Sequence, residues 1–505
     1  MQVGIATTSR LAADAGAAIA EAGGNAIDTA IAGSLVSLVS EPGMVSLAGG
    51  GFLTIWPAEG APVTVDGGVA MPGLGGDRRP NEAKLTRIRM EYGGGLDTLI
   101  GPGSVATPGI LAAFAEASKR FGRVPWHELF GPAIEVARNG FPLSSAAHRF
   151  MTHVHQQIYG LDPASHRALH HPDGTLKGIG ETVFVEHLAE SLKGIADEGA
   201  ELFYAGELGH RIADHLRESG GFLGRKDLAG YRAALLDPVS LPMGRWTVVS
   251  SPPPSLGGPV LAAMLCLAGD RPVESWSAAE VDFLIRLQVA ALDHRFERLD
   301  LSADLEADAR SLLELAAEQP ELLLSPSTVH TSAVDAHGSA CSITASAGYG
   351  SGDLPPGTGI WMNNTLGELE LNRRGLEAWA PGERLYSNMA PSVVRRDDGT
   401  ILAIGSPGAD RITTAQAQVI LNHLNLGLSL ERATAHPRLH VERVEGRHVV
   451  AFEPGLPVSG LDYDQRPFDA LDAYFGGVAA VSHHPLRGFE LAADPRRAGA
   501  TALAG

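Results

Sequence analysis

The residues with the clearest catalytic potential begin at Thr328, about two-thirds of the way along the 505-residue chain. A threonine that becomes a new N-terminus can carry both groups needed for acyl transfer. Its hydroxyl is the nucleophile, and its freed α-amine, with a pKa of about 7.7–8.0, is the neighbouring base. The sequence therefore indicates a precursor that cuts itself between Ser327 and Thr328.

The residues after the cut alternate as they do in a β-strand. One face carries Thr328, His330, Ser332 and Val334, and the other carries Val329, Thr331 and Ala333. Threonine is also a common strand residue with no catalytic role. An ordinary structural hairpin is therefore the alternative to a nucleophile.

A hairpin loop is predicted at residues 336–338, with Gly338 in its left-handed position. If Asp335 pairs with Ser339 across this loop, the same register places Thr328 opposite Ser346. The Ser346 hydroxyl could then orient the nucleophile through a hydrogen bond.

Several further elements are needed to position this strand. Helical periodicity covers residues 8–40 and 104–140, and residues 145–225 are mostly helical. Strands are predicted at 63–67, at 401–404 and leading into 361–364, and a helix is predicted from about 412 to 424. The turn at 405–409 joins a strand to a helix, so its backbone N–H groups could bind an oxyanion. An ordinary glycine turn without a catalytic role would have the same sequence pattern.

Composition excludes some classes of function. The net charge of −19 argues against binding nucleic acid or an anionic membrane surface. The longest apolar run, residues 30–45, contains serines and a glutamate, so it predicts a buried helix rather than a membrane span. No secretory signal precedes the first predicted strand, and the two cysteines, Cys266 and Cys341, lie in apolar segments; both features predict a cytoplasmic protein without disulfides.

Six histidines between residues 148 and 171 invite a metal interpretation: His148, His153, His155, His166, His170 and His171. None belongs to a His-Glu-x-x-His helix or a Cys-x-x-Cys pair. We therefore expect scattered surface histidines, no metal site and no cofactor.

Eight short motifs together resemble the γ-glutamyltranspeptidase family of N-terminal-nucleophile hydrolases. In chain order they are residues 21–30 (EAGGNAIDTA), 48–52 (AGGGF), 105–109 (VATPG), 131–134 (GPAI), 252–255 (PPPS), 328–335 (TVHTSAVD), 405–408 (GSPG) and 493–497 (ADPRR). Each is weak alone, but their order covers nearly the whole chain.

This resemblance implies an α/β (α+β) fold, a four-layer αββα sandwich. It also implies self-cleavage into a large subunit, residues 1–327, and a small subunit, residues 328–505, which form one compact αβ heterodimer; further dimerisation stays open. By the same resemblance, the backbone amides of Gly408 and Ala409 form the oxyanion hole, although the family usually has glycine at the second position.

The chain departs from the family at the substrate clamp. Relatives bind the glutamyl α-carboxylate with an arginine where this chain has Gly68, and with a Ser-Ser pair that here reads Ser387-Asn388. The α-amine positions of the family read Thr365 and Glu368, and a third position, an asparagine, is missing. Because glycine cannot replace a bidentate guanidinium, we expect the nucleophile to be kept and the specificity changed. Four arginines could restore a carboxylate site: Arg78, Arg79, Arg373 and Arg384.

The leading functional hypothesis is hydrolysis of a small cytoplasmic metabolite through an acyl-enzyme on Thr328. Family members that lack the arginine include amidohydrolases of the oxamate type and C–C hydrolases of alkylproline antibiotic biosynthesis. An ordinary γ-glutamyltransferase or glutathione hydrolase is the alternative within the same chemistry. A catalytically dead scaffold on the same fold is the alternative outside it.

Overall fold

The computed structural model describes residues 1–76, 80–91, 95–269, 273–318, 329–408, 410–444 and 446–505. The strands are β1 (Val3–Thr7), β2 (Gly50–Trp56), β3 (Val63–Gly67), β4 (Thr86–Met90), β5 (Leu96–Ile100), β6 (Phe141–Pro142), β7 (Thr182–Val183), β8 (Ala234–Leu236), β9 (Val239–Met243), β10 (Trp246–Ser250), β11 (Val329–Asp335), β12 (Ala340–Ser346), β13 (Ser392–Arg396), β14 (Ile401–Gly405), β15 (Leu439–Val444), β16 (Arg447–Phe452), β17 (Asp464–Pro467), β18 (Ala479–His484), β19 (Gly488–Ala493) and β20 (Ala500–Ala504). The helices are α1 (Arg10–Glu21), α2 (Ala26–Ser40), α3 (Ile110–Phe121), α4 (Trp126–Leu129), α5 (Gly131–Asn139), α6 (Ser145–Val154), α7 (Pro163–Leu169), α8 (Leu188–Glu198), α9 (Glu201–Tyr204), α10 (Glu207–Glu218), α11 (Arg225–Gly230), α12 (Gly257–Ala268), α13 (Ala278–Glu297), α14 (Leu305–Glu318), α15 (Arg411–Leu424) and α16 (Leu430–Ala435).

Helix α2 shows how a local signal and long-range packing act together. The Asn25 side chain accepts hydrogen bonds from the amides of Ile27 and Asp28, and Asp28 accepts one from the Asn25 amide. This capping box satisfies amides that the first helical turn leaves unpaired. The Asp335 carboxylate accepts from the Ala26 amide at 3.3 Å, so the start of α2 is tied to the end of β11.

Two antiparallel sheets form the centre of the molecule. The first has the strand order β20-β1-β11-β12-β2-β3-β8, and the second has the order β19-β18-β14-β13-β10-β9. Both sheets contain strands from both sides of residue 328. β11, for example, pairs with β1 on one side and with β12 on the other.

Three hydrophobic cores separate the layers. One lies between the first sheet and α1–α10, and another lies between the second sheet and α12–α16. A third, made of small side chains such as Ala6, Val334, Ala403 and Val481, lies between the two sheets. Small residues allow the two sheets to approach closely, so the predicted four-layer αββα arrangement is confirmed.

The predicted hairpin is also confirmed in its described part. Val329 pairs with Ala345 and Val334 pairs with Ala340, the register that follows from pairing Asp335 with Ser339. The Asp335 amide donates to the Ser339 carbonyl at 3.0 Å, and Gly338 has a φ of 88°. The periodicity and the turn glycine were therefore sufficient to set this register.

Two local expectations were wrong. Residues 361–364 form no regular strand; the only pairing there is a bridge between Met362 and Ala48. The Asn363 and Asn364 side chains hydrogen-bond to backbone groups of other segments instead, which anchors this extended stretch without a ladder.

The second wrong expectation concerns the histidines, because three of the six form a cluster. His155 and His170 share a hydrogen bond of 2.8 Å, and His166 stacks on His170, whose side chain is buried. Across the described ranges, no group of three His, Cys, Asp or Glu side chains is placed to hold a metal ion. Within the same part of the chain, no helix combines the length and the apolar character needed to cross a membrane.

Candidate active site

The start of β11, a strand of the first sheet, faces the second sheet. His330 packs directly beneath Gly405, where a Cβ atom would lie 2.2 Å from the His330 ring. The ring also hydrogen-bonds to Thr344 and Ser332, at 2.9 and 2.8 Å. Burial lowers the pKa of His330 to about 3, so the ring is neutral and holds β11 in place rather than acting as a base.

Ser327 and Thr328 lie outside the described residues, as do Arg78, Arg79 and Ala409. The described strand begins one residue later, at Val329. Ser346 is described: it pairs with Gly50 on the side of β12 away from β11, and its hydroxyl accepts a 3.0 Å hydrogen bond from the Gly348 amide. The described register begins with Val329 opposite Ala345, and the position of Ser346 opposite Thr328 stays a prediction.

Six of the predicted site residues line one small pocket, which we call the inner pocket. They are Gly68, Ser346, Thr365, Glu368, Ser387 and Asn388, and they enclose a cavity of about 20 Å³. They come from four separate parts of the sequence. The structure thus brings all five predicted substrate-binding residues together with Ser346.

Gly68 is held by an ion pair at the end of β3. The Asp66 carboxylate accepts from the Gly68 amide at 2.7 Å and from Arg384 Nε at 3.0 Å. Arg384 also covers the Tyr231 ring, 4.2 Å from its centroid. Arg384 therefore has a structural partner behind the inner pocket, and no arginine or lysine is among the described residues that line this pocket.

Arg373, another predicted substitute, is also engaged elsewhere. Its guanidinium stacks on Phe296 at 3.7 Å and lies 3.6 Å from the buried carboxylate of Asp300. Asp300 in turn pairs with Arg295 at 3.0 Å. These contacts fix Arg373 in the helical layer of the second sheet.

The acidic residue of the inner pocket is in an unusual electrostatic state. Burial, and then the charge of neighbouring Glu370, raise the pKa of Glu368 well above its ordinary value. Burial also raises the pKa of Glu370 to about 7, although Tyr349 donates a 2.7 Å hydrogen bond to it. Both effects favour the protonated, uncharged form of Glu368, which attracts an ammonium group less than a carboxylate does.

Ser387 and Asn388 are positioned by the 252–255 motif and the start of α12. The Leu256 amide donates to the Ser387 carbonyl at 2.6 Å. A Cβ at position 257 would lie 2.0 Å from the Asn388 carbonyl oxygen, so only glycine allows this approach. The chain from the 252–255 motif into α12 thus shapes the wall of the inner pocket at Ser387 and Asn388.

Sequence reasoning missed two residues that organise the site. Asn363 donates to the carbonyls of Ala48 and Ala106, which joins two glycine-rich motifs beneath the inner pocket. Asn364 accepts from the Tyr349 amide at 2.6 Å. The adjacent asparagines were visible as a possible signal, but their partners lie far away in the sequence.

The turn after β14 is built around close backbone contacts. Gly408 has a φ of 132°, and a Cβ there would lie 2.6 Å from the Cα of Gly476. The Ser406 hydroxyl accepts from the Gly477 amide at 3.1 Å and donates to the Pro407 carbonyl at 2.6 Å. The turn is therefore rigid, whereas the oxyanion role of Gly408 and Ala409 stays a prediction.

A larger cavity of about 320 Å³ opens at Gly408. Five arginines line it: Arg149, Arg411, Arg466, Arg496 and Arg497. We call it the arginine cavity. No sequence motif pointed to it, because its arginines are spread over some 350 positions.

The four layers and the clustered site define a hydrolase fold of the N-terminal-nucleophile type, and sequence comparison narrows this class. Residues 12–297 and 286–504 match the family model described as gamma-glutamyltranspeptidase. The chain belongs to this family and is an enzyme of the hydrolase and transpeptidase type.

Individual relatives agree with the family. The chain is 30% identical over 483 residues to the acylase ACY 1 proenzyme of Pseudomonas sp. (strain V22), covering 90% of this chain and 84% of that one. It is 29% identical over 492 residues to the glutathione hydrolase proenzyme of Pseudomonas aeruginosa, covering 90% and 86%. The structure is similar to the crystal structure of cephalosporin acylase from Bacillus halodurans, with a TM-score of 0.81, 25% identity and coverage of 99% and 95%.

Proposed function

We propose that this protein is a self-processing threonine hydrolase that cleaves an amide of a small molecule whose acyl part is not γ-glutamyl. The observation that carries the proposal is the inner pocket. Its described lining includes Ser346, which is proposed to lie opposite Thr328, and contributes no guanidinium to bind an α-carboxylate.

In the proposed reaction, the Thr328 hydroxyl attacks the amide carbon and passes its proton to the α-amine of the same residue. The amides of Gly408 and Ala409 stabilise the oxyanion. The C–N bond then breaks, and the leaving amine takes the proton from the α-ammonium group. Water next attacks the ester, gives a proton to the α-amine and releases the acid, while Thr328 Oγ regains its proton.

Changed specificity is supported by three features of the inner pocket. Gly68 stands at the family's arginine position, and Arg384 and Arg373 are paired with Asp66 and Asp300. Burial and the neighbouring Glu370 raise the pKa of Glu368 and favour its uncharged form, which weakens its attraction for an α-ammonium group. A γ-glutamyl substrate would therefore lose charge-assisted contacts at both ends of its zwitterion.

The names of the relatives leave two candidate reactions within this chemistry. The acylase proenzymes and the cephalosporin acylase favour hydrolysis of an amide with a non-glutamyl acyl group. The glutathione hydrolase proenzymes favour γ-glutamyl hydrolysis as the alternative. The proenzyme names also support a two-subunit product, residues 1–327 and 328–505, and a cytoplasmic location is part of the proposal.

A denaturing gel with N-terminal mass analysis tests self-processing. We expect purified wild-type protein to give two fragments, the smaller beginning at Thr328, and Thr328→Ala to stay intact. Processed enzyme should then release amines from small amides in a way that Thr328→Ala cannot. A wild-type chain that stays full-length on long incubation would remove the proposal.

A further inference from the structure

The arginine cavity differs in charge from the rest of the molecule. The chain carries a net charge of −19, yet five of the residues lining this cavity are arginines and Asp472 is its only acidic one among the described residues. A cleft lined by charges of one sign raises the local concentration of ions of the opposite sign. On an acidic protein, such a cleft is the place where a small anion would collect.

We propose that the arginine cavity binds the leaving-group half of the substrate, and that this half carries an anionic group on an aromatic or similarly flat apolar body. This inference rests on the proposed hydrolysis at Thr328. It assigns the acyl half to the inner pocket and the anionic amine half to the arginine cavity.

The guanidinium groups are held in fixed positions. Arg149 pairs with Asp472 at 3.0 Å, and Arg466 pairs with Glu442 at 2.7 Å. Arg411 donates to the Tyr474 carbonyl at 3.0 Å. Arg411 also pairs with Asp410. A guanidinium has five N–H donors, and the carboxylates of Asp472 and Glu442 accept from only one nitrogen each of Arg149 and Arg466, so these two side chains are oriented and keep donors for a ligand.

Stability alone does not explain the arginines at the mouth of the cavity. The side chains of Arg149 and Arg466 are 58% and 42% exposed. Ion pairs this exposed contribute little to folding. Arg496, in contrast, is fully buried against Glu453 and Asp494 and forms part of the floor.

Aromatic side chains supply the apolar wall. Phe468 stacks on Tyr474 with ring centroids 5.2 Å apart, and Arg466 lies over both rings. Phe150 forms another part of the lining and stacks on Tyr349. A cavity of about 320 Å³ has room for one substituted aromatic ring, and pockets from about 300 Å³ upward bind small molecules.

The cavity is also adjacent to the inner pocket. Gly408 belongs to its lining, and so does Met44, whose carbonyl accepts a 3.3 Å hydrogen bond from the Ala347 amide. Ala347 directly follows Ser346 of the inner pocket. A substrate with its acyl group in the inner pocket would therefore reach the arginine cavity with the atoms beyond its scissile bond.

Calorimetric titration of the purified protein with 3-aminobenzoate and with aniline tests the inference directly. The two probes differ only in the carboxylate. We expect the wild type to bind 3-aminobenzoate more tightly, and the double variant Arg149→Gln/Arg466→Gln to weaken that binding by about tenfold or more. Arg447→Gln is the matched control, because Arg447 is an exposed arginine that pairs with Asp464 away from the cavity.

Amides of one acyl group with 3-aminobenzoate and with aniline give the kinetic counterpart. We expect the double variant to raise KM for the anionic amide only and to process itself normally. Equal binding of both probes by the wild type, or an unchanged affinity in the double variant, would overturn the inference. A wild type that does not process itself at Thr328 would overturn the proposed function instead. The titration would still show whether the arginine cavity binds the anionic probe.

Discussion

The inner pocket and the arginine cavity are linked by the hydrogen bond from the Ala347 amide to the Met44 carbonyl, and they differ in chemical character. The inner pocket is small and buried, and its described lining has hydroxyl and amide groups and one carboxyl group whose pKa is raised. The arginine cavity is some sixteen times larger and is lined by five arginines. Among the described lining residues, guanidinium groups are thus found on the side of Gly408 and not on the side of Gly68.

This difference indicates how one catalytic frame can change its substrate. The αββα layers, the β11–β12 register and the turn at Gly408 are parts that any acyl transfer at position 328 would need. Under the proposed function, the residues around Gly68 and Glu368 select which acyl group fits. The chain therefore keeps the geometry of its family while the charges of the two cavities differ.

The largest effect is expected from Gly408→Ala, at the boundary of the arginine cavity. A Cβ would lie 2.6 Å from the Gly476 Cα, and the φ of 132° is strained for any residue but glycine. Displacing an oxyanion donor costs about 10²–10³-fold in kcat. Turnover by the processed variant would measure this loss.

Gly427→Ala is the matched control for that variant, because Gly427 also has a positive φ but its Cβ would meet open space. Activity of Gly408→Ala within a few fold of the control would argue against an oxyanion role for the turn.

A stability effect is expected from Glu41→Gln, behind the arginine cavity. Burial raises the pKa of Glu41 to about 7, although Ser144 donates to it at 2.6 Å and Arg497 lowers it through its charge. Because the folded pKa exceeds the unfolded one, the folded protein binds the proton more tightly. Stability is therefore full at low pH and falls as the pH rises from about 4.5 to about 7, by roughly 3 kcal/mol.

Thermal unfolding at pH 5 and pH 7.5 checks this expectation. Glu41→Gln should reduce the drop in Tm between the two pH values, whereas Glu190→Gln, on the exposed side of α8, should leave it unchanged. An identical drop in wild type and Glu41→Gln would show that Glu41 does not cause it.

Arg384→Gln distinguishes a structural arginine from a substrate clamp at the inner pocket. Losing the Asp66 ion pair loosens the strand end at Gly68, so we expect kcat/KM to fall by about tenfold for every substrate. The measurement compares substrates with and without an α-carboxylate. Arg245→Gln, an exposed arginine paired with Asp397, is the control.

A rise in KM confined to substrates that carry an α-carboxylate would identify Arg384 as the clamp. The inner pocket would then bind a carboxylate from a different direction than its relatives do.

The smallest effect is expected from Glu368→Gln. Because burial and Glu370 raise the pKa of Glu368 and favour its protonated form, a neutral amide of similar shape should change kcat/KM by less than about threefold at pH 7. Steady-state kinetics on amine-bearing and amine-free substrates measures it. A loss of about a hundredfold restricted to amine-bearing substrates would show that Glu368 binds an ammonium group as a charged carboxylate.

Local signals made much of the site predictable. Strand alternation and Gly338 predict the β11–β12 register that the structure has from Val329 onward. The prediction that Ser346 lies opposite Thr328 follows from the same register. Asn25 and Asp28 similarly determine the start of α2. Such features depend on residues a few positions apart, so a single sequence contains them.

Long-range contacts made the rest unpredictable. Asn363 reaches across 257 and 315 positions to Ala106 and Ala48, and Arg384 reaches across 318 positions to Asp66. The same limit applies to the arginine cavity. Arg149 and Arg466 become neighbours of Gly408 only after both sheets and their helices have packed.

The measurement that tests the central claim most directly is a comparison of kcat/KM for three anilides on processed enzyme: γ-glutamyl, 4-aminobutyryl and butyryl anilide. The second lacks the α-carboxylate of the first, and the third lacks the amine as well. We expect the γ-glutamyl anilide to react no faster than the other two, because Gly68 has no side chain to bind its α-carboxylate and the raised pKa of Glu368 disfavours the charged form that would bind its amine. A preference of a hundredfold or more for the γ-glutamyl anilide would contradict the proposed change of specificity.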